Sequence, residues 1–299
     1  MDVILAHGTG NTFVVLPDLN DRITLTDEMV RSLADPKQGF GTDGVIRIGS
    51  GRDGAEGFMD YRNADGSVVE MCGNGVRVTA KYLVDVAGVT PDSDGQVVIQ
   101  TRAGAKPVRI TDVNPDGSVK TVAVQMGQPD FAAQSLPYLP VDAEADVDNL
   151  PLSSGAEPLT HLPIRTVSFG NPHAVTTVPE TSKAPVTTIG PLVEQHERFP
   201  NRVNVGFAQI VNRQQIQLRV WERGVGETAA CGSGACAAVA VHQQAGLLDD
   251  DVDVQVPGGT LRITRHTDGS YTLTGDAVFV STATIDPVWA AQLGLDSAS

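Results

Sequence analysis

Cysteine is scarce in this chain of 299 residues: there are three, an odd number. The opening stretch, Met1 to Gly8, has Asp2 where a secretory signal carries positive charge, and its apolar run is short. Free thiols in a reducing, cytoplasmic setting are therefore expected. No window approaches the roughly 18 apolar residues of a membrane span. Basic residues are few as well, 21 Lys and Arg against 36 Asp and Glu, for a formal net charge of −15. So acidic a chain argues against nucleic acid or an anionic membrane as a partner. No C-x-x-C, H-E-x-x-H, G-x-S-x-G or Walker sequence occurs, so no metal site is expected. Gly224-Val225-Gly226-Glu227-Thr228-Ala229 has the spacing of a loose dinucleotide fingerprint. The acid that should close the next strand is missing, because Asp249, Asp250 and Asp251 precede that strand. No cofactor is expected.

What is present is a cysteine set among glycines, twice. Glu227-Thr228-Ala229-Ala230-Cys231-Gly232-Ser233-Gly234 runs into an alanine-rich segment of high helix propensity. That places Cys231 at a helix N-terminus, where unpaired N–H groups and the macrodipole favour an anion. Either the thiolate, with its pKa lowered, or a substrate carboxylate would benefit. Taken alone, such a cysteine is more often a small buried residue at a tight turn. Cys236, five positions on, faces another side of the helix and reads as core.

Cys72-Gly73-Asn74-Gly75 repeats the pattern 159 positions earlier. Gly10-Asn11 answers Gly170-Asn171, Val108-Arg109-Ile110-Thr111 answers Leu261-Arg262-Ile263-Thr264, and Asp116-Gly117-Ser118 answers Asp268-Gly269-Ser270. Four matches in one order at a near-constant offset mean an internal duplication. Strands are expected at 3–6, 12–16, 44–48, 58–62, 97–101, 108–111 and 119–125 in the first copy. In the second they fall at 164–168, 173–178, 203–210, 216–221, 252–256, 260–265 and 271–280. Helices are expected over 26–34, about 73–87, about 233–244 and 286–295. Residues 128–163, with six prolines and no period, read as a linker. No βαβ alternation is visible. The expected fold is α/β of the α+β kind, with two pseudo-symmetric domains, 1–130 and 131–277, each a mostly antiparallel sheet around one buried helix.

If both helices point at one cleft, two sulfurs reach opposite sides of whatever binds there. The amides of Gly73, Asn74, Gly232 and Ser233 would hold its carboxylate. A thiolate on one face of a carbon and a thiol on the other form an acid–base pair that inverts configuration. His173 in Gly170-Asn171-Pro172-His173 and Glu222 beside Arg223 gain weight from their place next to this framework. Asn11, Asn63, Asn171 and Asn204 are turn asparagines by default, or a set that recognises a zwitterion.

Together, Cys72-Gly73-Asn74-Gly75, Gly170-Asn171-Pro172-His173, Glu222-Arg223-Gly224 and Glu227 to Gly234 resemble the diaminopimelate epimerase family over nearly the whole chain. The resemblance implies interconversion of LL- and meso-diaminopimelate without pyridoxal phosphate, in lysine and peptidoglycan precursor synthesis. It implies Cys72 and Cys231 as the base/acid pair, with His173 and Glu222 assisting proton transfer. Asn11, Asn63, Asn171, Asn204, Glu222 and Arg223 would hold the distal amino-acid end. It further implies a homodimer, a C-terminal tail (278–299) returning to the first domain, and cysteines able to join as a disulfide. Many relatives carry Gln where this chain has Gly44. Two rivals share the pattern: a proline or hydroxyproline racemase, and a non-catalytic amino-acid-binding protein.

Overall fold

The computed structural model describes residues 1–142, 145, 147–153 and 160–295. The chain forms two compact units, Met1–Gln125 with the segment from Thr274 on, and Met126–Leu273. In the first unit the strands are β1 (Asp2–Gly8), β2 (Asn11–Pro17), β3 (Gly44–Ser50), β4 (Gly57–Asn63), β5 (Val68–Val69), β6 (Gln96–Thr101), β7 (Gly104–Val113) and β8 (Val119–Gly127). Helix α1 (Asp27–Ala34) starts where Thr26 Oγ1 accepts the Met29 N–H at 3.2 Å, with Asp27 and Glu28 in its first turn. Helix α2 (Gly73–Asp85) starts at Cys72.

In the second unit the strands are β9 (Asp148–Leu152), β10 (Thr160–Ser168), β11 (Pro172–Thr177), β12 (Asn204–Asn212), β13 (Gln215–Glu222), β14 (Gly226–Thr228), β15 (Asp251–Val256), β16 (Gly259–Arg265) and the start of β17 (Tyr271–Asp276), whose last three residues belong to the first unit. Its helices are α3 (Val186–Glu194) and α4 (Gly232–Gln244), the latter starting at Cys231. Strand β18 (Val278–Thr284) pairs antiparallel with β1, and α5 (Pro287–Gln292) follows. Trp289 on α5 packs on Phe40, ring centroids 5.9 Å apart.

The duplication is visible in the pairing. In the first unit β1/β2 is antiparallel, β2/β3 parallel, β3/β4 antiparallel, β4/β6 parallel and β6/β7 antiparallel. In the second, β10/β11, β11/β12, β12/β13, β13/β15 and β15/β16 repeat that order of senses. Each sheet packs on its own helix. On α4 every residue from Gly234 to Gln243 is buried, and on α2 every residue from Asn74 to Leu83. A helix enclosed this way needs no polar face, and the alanines of α4 let strands approach closely. The mixed α+β fold with a duplicated, mostly antiparallel sheet around a buried helix is as the pattern predicts.

Three local expectations need correction. The stretch read as one strand over 271–280 is two, β17 and β18, interrupted at the buried Ala277. The segment 128–163 is not all linker, since β9 and the start of β10 lie in it; residues 143, 144, 146 and 154–159 fall outside the described residues. Helix α3 has no counterpart among the expected helices. Gly190 and Pro191 sit in its middle and lower its propensity. Gly190 is there because a Cβ would lie 2.6 Å from the Trp221 ring.

Candidate active site

Both cysteines stand at helix N-caps in extended backbone, Cys72 at φ −136° and Cys231 at φ −116°. Cys72 is half-buried and Cys231 buried, and none of the three cysteines is in a disulfide. Cys72 Sγ accepts the Gly75 N–H at 3.4 Å. The second glycine of each motif has a steric reason. A Cβ on Gly234 would lie 3.2 Å from both Cys231 Sγ and Val220, and one on Gly75 would lie 3.2 Å from Ile46 and Met59.

In the first unit Cys72 sits on a chain of polar contacts. Asn11 Oδ1 is 4.0 Å from Cys72 Sγ and accepts Asn74 Nδ2 at 3.1 Å. Asn11 Nδ2 donates to Asp43 Oδ2 at 3.1 Å, and Asn74 Oδ1 accepts from Arg77 Nη2 at 3.0 Å. A carboxylate only accepts and a guanidinium only donates, so the two ends fix the orientation of both amides. Thr9, at φ 51°, is a β-branched residue in the left-handed region. Asp276 Oδ1 accepts both its N–H and its hydroxyl at 2.7 Å, which holds it there. Asn63 is outside this network. Its Oδ1 accepts from the Tyr61 hydroxyl and its Nδ2 donates to Ser67, each at 3.0 Å. The Gly44 position has no room for a side chain, as a Cβ would meet Arg62 O at 2.4 Å and the Tyr61 ring at 2.6 Å.

In the second unit, Asn171, His173, Glu222, Ser233 and Cys231 come together. Asn171 Nδ2 donates to Ser233 Oγ at 3.1 Å. His173 Nε2 lies 3.1 Å from both Asn171 Oδ1 and Ser233 Oγ. Because Oδ1 accepts only, His173 is the Nε2–H tautomer, and the Ser233 proton is left for Cys231 Sγ at 3.7 Å. Burial, with the Arg223 charge adding to it, pushes the His173 pKa down to about 3, so the ring is neutral at pH 7. Glu222 Oε1 accepts the Thr228 hydroxyl at 2.5 Å. Asn204 accepts the Arg223 N–H at 2.9 Å and donates to Pro172 O at 3.0 Å.

The expectation that the helix terminus lowers the Cys231 pKa is overturned. Burial first and the Glu222 charge second push that thiol well up, against smaller opposing effects of the Gly234 N–H and Ser233. Cys231 is therefore held as a thiol. Cys236, fully buried and likewise pushed up by burial, is core as expected. No group of His, Cys, Asp and Glu that could hold a metal occurs among the described residues.

Sequence reasoning missed Asp43, Arg77, Thr228 and Glu194. Buried Glu194, the last residue of α3, accepts Trp221 Nε1 at 2.7 Å and the Gly224 N–H at 2.9 Å, and so anchors the turn that carries Glu222 and Arg223. The repeat register could have found its helix, because α3 lies where α1 lies in the first copy.

The family model for diaminopimelate epimerase matches residues 3–132 and 165–280. The chain is 42% identical over 284 residues to the diaminopimelate epimerase of Thioalkalivibrio sulfidiphilus, covering 94% of this chain and 97% of that one. It is 43% identical over 264 residues to the diaminopimelate epimerase of Teredinibacter turnerae, covering 86% and 88%. Among solved structures, a probable proline racemase from Agrobacterium radiobacter superposes with a TM-score of 0.68 at 14% identity, over 96% of this chain and 93% of that one. That likeness is one of fold. With duplicated N-cap cysteines and this extent of identity, the chain belongs to the diaminopimelate epimerase family.

Proposed function

We propose that this protein interconverts LL- and meso-2,6-diaminopimelate by exchanging the proton on one Cα between two cysteines. The observation that carries the reading is the paired Cys-Gly-x-Gly helix start, in a chain so close in sequence to enzymes of that name. In one direction the thiolate of one cysteine removes the Cα proton, and the thiol of the other delivers a proton to the opposite face. The first sulfur ends protonated, the second ends as thiolate, and configuration inverts. Sulfur suits both roles because thiol and thiolate lie within reach near neutrality. Charge developing on the substrate carboxylate is met by the N–H groups of Gly73, Asn74, Gly232 and Ser233 at the two helix starts. His173, neutral and joined to Ser233, assists through that hydroxyl, while the Glu222 carboxylate keeps Cys231 protonated. Asn11, Asn63, Asn171, Asn204, Glu222 and Arg223 are the groups we assign to the distal amino-acid end. As written, the reaction requires no cofactor.

The proposed setting is the cytoplasm and the proposed assembly a homodimer. No helix among the described residues is long and apolar enough to cross a membrane, and sedimentation measures the assembly. The decisive experiment incubates the protein with LL-diaminopimelate in D2O, with L-proline in a parallel sample. Deuterium at one Cα and appearance of the meso isomer support the reading. Exchange into proline alone, or into neither, sinks it.

A further inference from the structure

Arg77 is a buried charge to which the reaction above gives no role. It lies five residues into the chain from Cys72, on α2, and its side chain is fully enclosed at 0% exposure. Its Nε donates to Asp276 O at 3.0 Å, its Nη1 to Gly73 O at 3.3 Å, and its Nη2 to Thr9 Oγ1 and Asn74 Oδ1 at 3.0 Å each. Enclosing a cation is costly unless its partners compensate. The fold does not require one at this place. In the repeat register the equivalent residue of α4 is Cys236, also 0% exposed, and that core closes without an ion. The cation thus belongs to the helix that Cys72 caps, while the helix that Cys231 caps has the Glu222 anion beside its sulfur.

We propose that Arg77 is a positioning residue that makes Cys72 the thiolate of the pair, so that the resting enzyme holds a thiolate at Cys72 and a thiol at Cys231. This rests on the epimerase reading above. Two effects act together. The guanidinium adds positive charge behind a helix start that already favours an anion. It also bonds Gly73 O and Asn74 Oδ1 in the first turn of α2, the turn whose Gly75 N–H donates to Cys72 Sγ at 3.4 Å. The Asn11 Oδ1 that faces the sulfur at 4.0 Å is an acceptor and works the other way, so the guanidinium charge has to outweigh it. The attraction is mutual: burial lowers the Arg77 pKa to about 10, and the charges of Asp276 and Cys72 oppose that fall.

Other charges around α2 are placed as follows. Asp276 accepts from Thr9, and Asp43 from Asn11 and Thr12. Asp60 pairs with Arg102, Arg62 with Asp27, Lys81 with Asp85 and Asp112 with Lys120. On β1, His7 accepts the Gly10 N–H and Asp2 accepts from Thr284. Lys106 lies half-buried on β7, and Arg109 and Glu70 are exposed.

The test titrates Cys72 in the full-length protein by following the rate of iodoacetamide alkylation against pH, with the modified peptide identified by mass spectrometry. It needs no substrate, so its outcome is independent of whether diaminopimelate exchanges in D2O. In Arg77→Met the midpoint is expected to rise and alkylation at pH 7 to slow at least about tenfold, with Arg77→Lys recovering most of it. In turnover, kcat should fall with KM little changed. Asp276→Asn keeps the acceptor for Thr9 but removes the opposing charge, so its Cys72 midpoint should move down. A folded Arg77→Met with an unmoved midpoint overturns the proposal. If Arg77→Met does not fold, an Asp276→Asn midpoint that stays or rises overturns it equally.

Discussion

Ser233 Oγ stands 3.7 Å from Cys231 Sγ, and its other contacts, with Asn171 and His173, leave its proton directed at the sulfur. The hydroxyl is thus set to stabilise the thiolate that Cys231 becomes when it gives up its proton. Ser233→Ala should lower kcat by about ten- to a hundredfold, the loss of a hydrogen bond to a charged group. The limb of the pH–rate profile that reports Cys231 should move to higher pH. Ser233→Thr keeps the hydroxyl and should stay near the parent. Equal losses in both variants would show that the hydroxyl is not responsible.

His173 couples folding to acid. Unfolded, the ring takes a proton near pH 6.5; folded, it refuses one until about pH 3. Between those values the unfolded chain binds more protons, so stability falls as pH falls, by up to about 1.4 kcal/mol per pH unit from this residue. Above pH 6.5 the contribution is constant. Urea midpoints at pH 7, 6 and 5 should decline in the parent and decline less in His173→Asn.

The three thiols should alkylate in the order of their exposure. Cys72 is half-buried, Cys231 is 4% exposed and Cys236 is 0% exposed. Timed iodoacetamide labelling at pH 8 should modify Cys72 first and Cys236 only on unfolding. Early labelling of Cys236 would contradict its placement in the core.

Gly234→Ala would bring a methyl group to 3.2 Å from both Cys231 Sγ and Val220. The neighbours must give by a few tenths of an ångström, so the variant should lose about 1–3 kcal/mol of stability and shift the sulfur. Activity should fall more than the thermal midpoint alone explains. Gly224→Ala provides a contrast, with φ +76° but nothing within 4 Å of an added Cβ.

Much of this was legible because duplication writes itself into sequence. The glycines that flank Cys72 and Cys231 announce the helix starts, and the offset between the copies predicts two like folds. What stayed hidden is what long-range packing decides. Arg77 looks like one more residue in an apolar helix until Thr9 and Asp276, far away in the chain, close around it. Asp43 reads as a turn acid, although it orients Asn11. α3 defied propensity because Trp221 needs a glycine beneath it. The helix-terminus argument for Cys231 failed for a related reason. Sequence shows the dipole but neither the depth of burial nor the Glu222 carboxylate that outweigh it.

The pairing of β18 with β1, and the carboxylate that Asp276 brings to Thr9, bear on how the chain is made. Residues 126–273 can leave the ribosome as a contiguous globule, whereas the first 125 must wait for a strand translated after them. The half synthesised first is the last to be completed. A nascent polypeptide stalled short of residue 276 would hold the Arg77 guanidinium without the Asp276 carbonyl and carboxylate that accompany it in the finished fold.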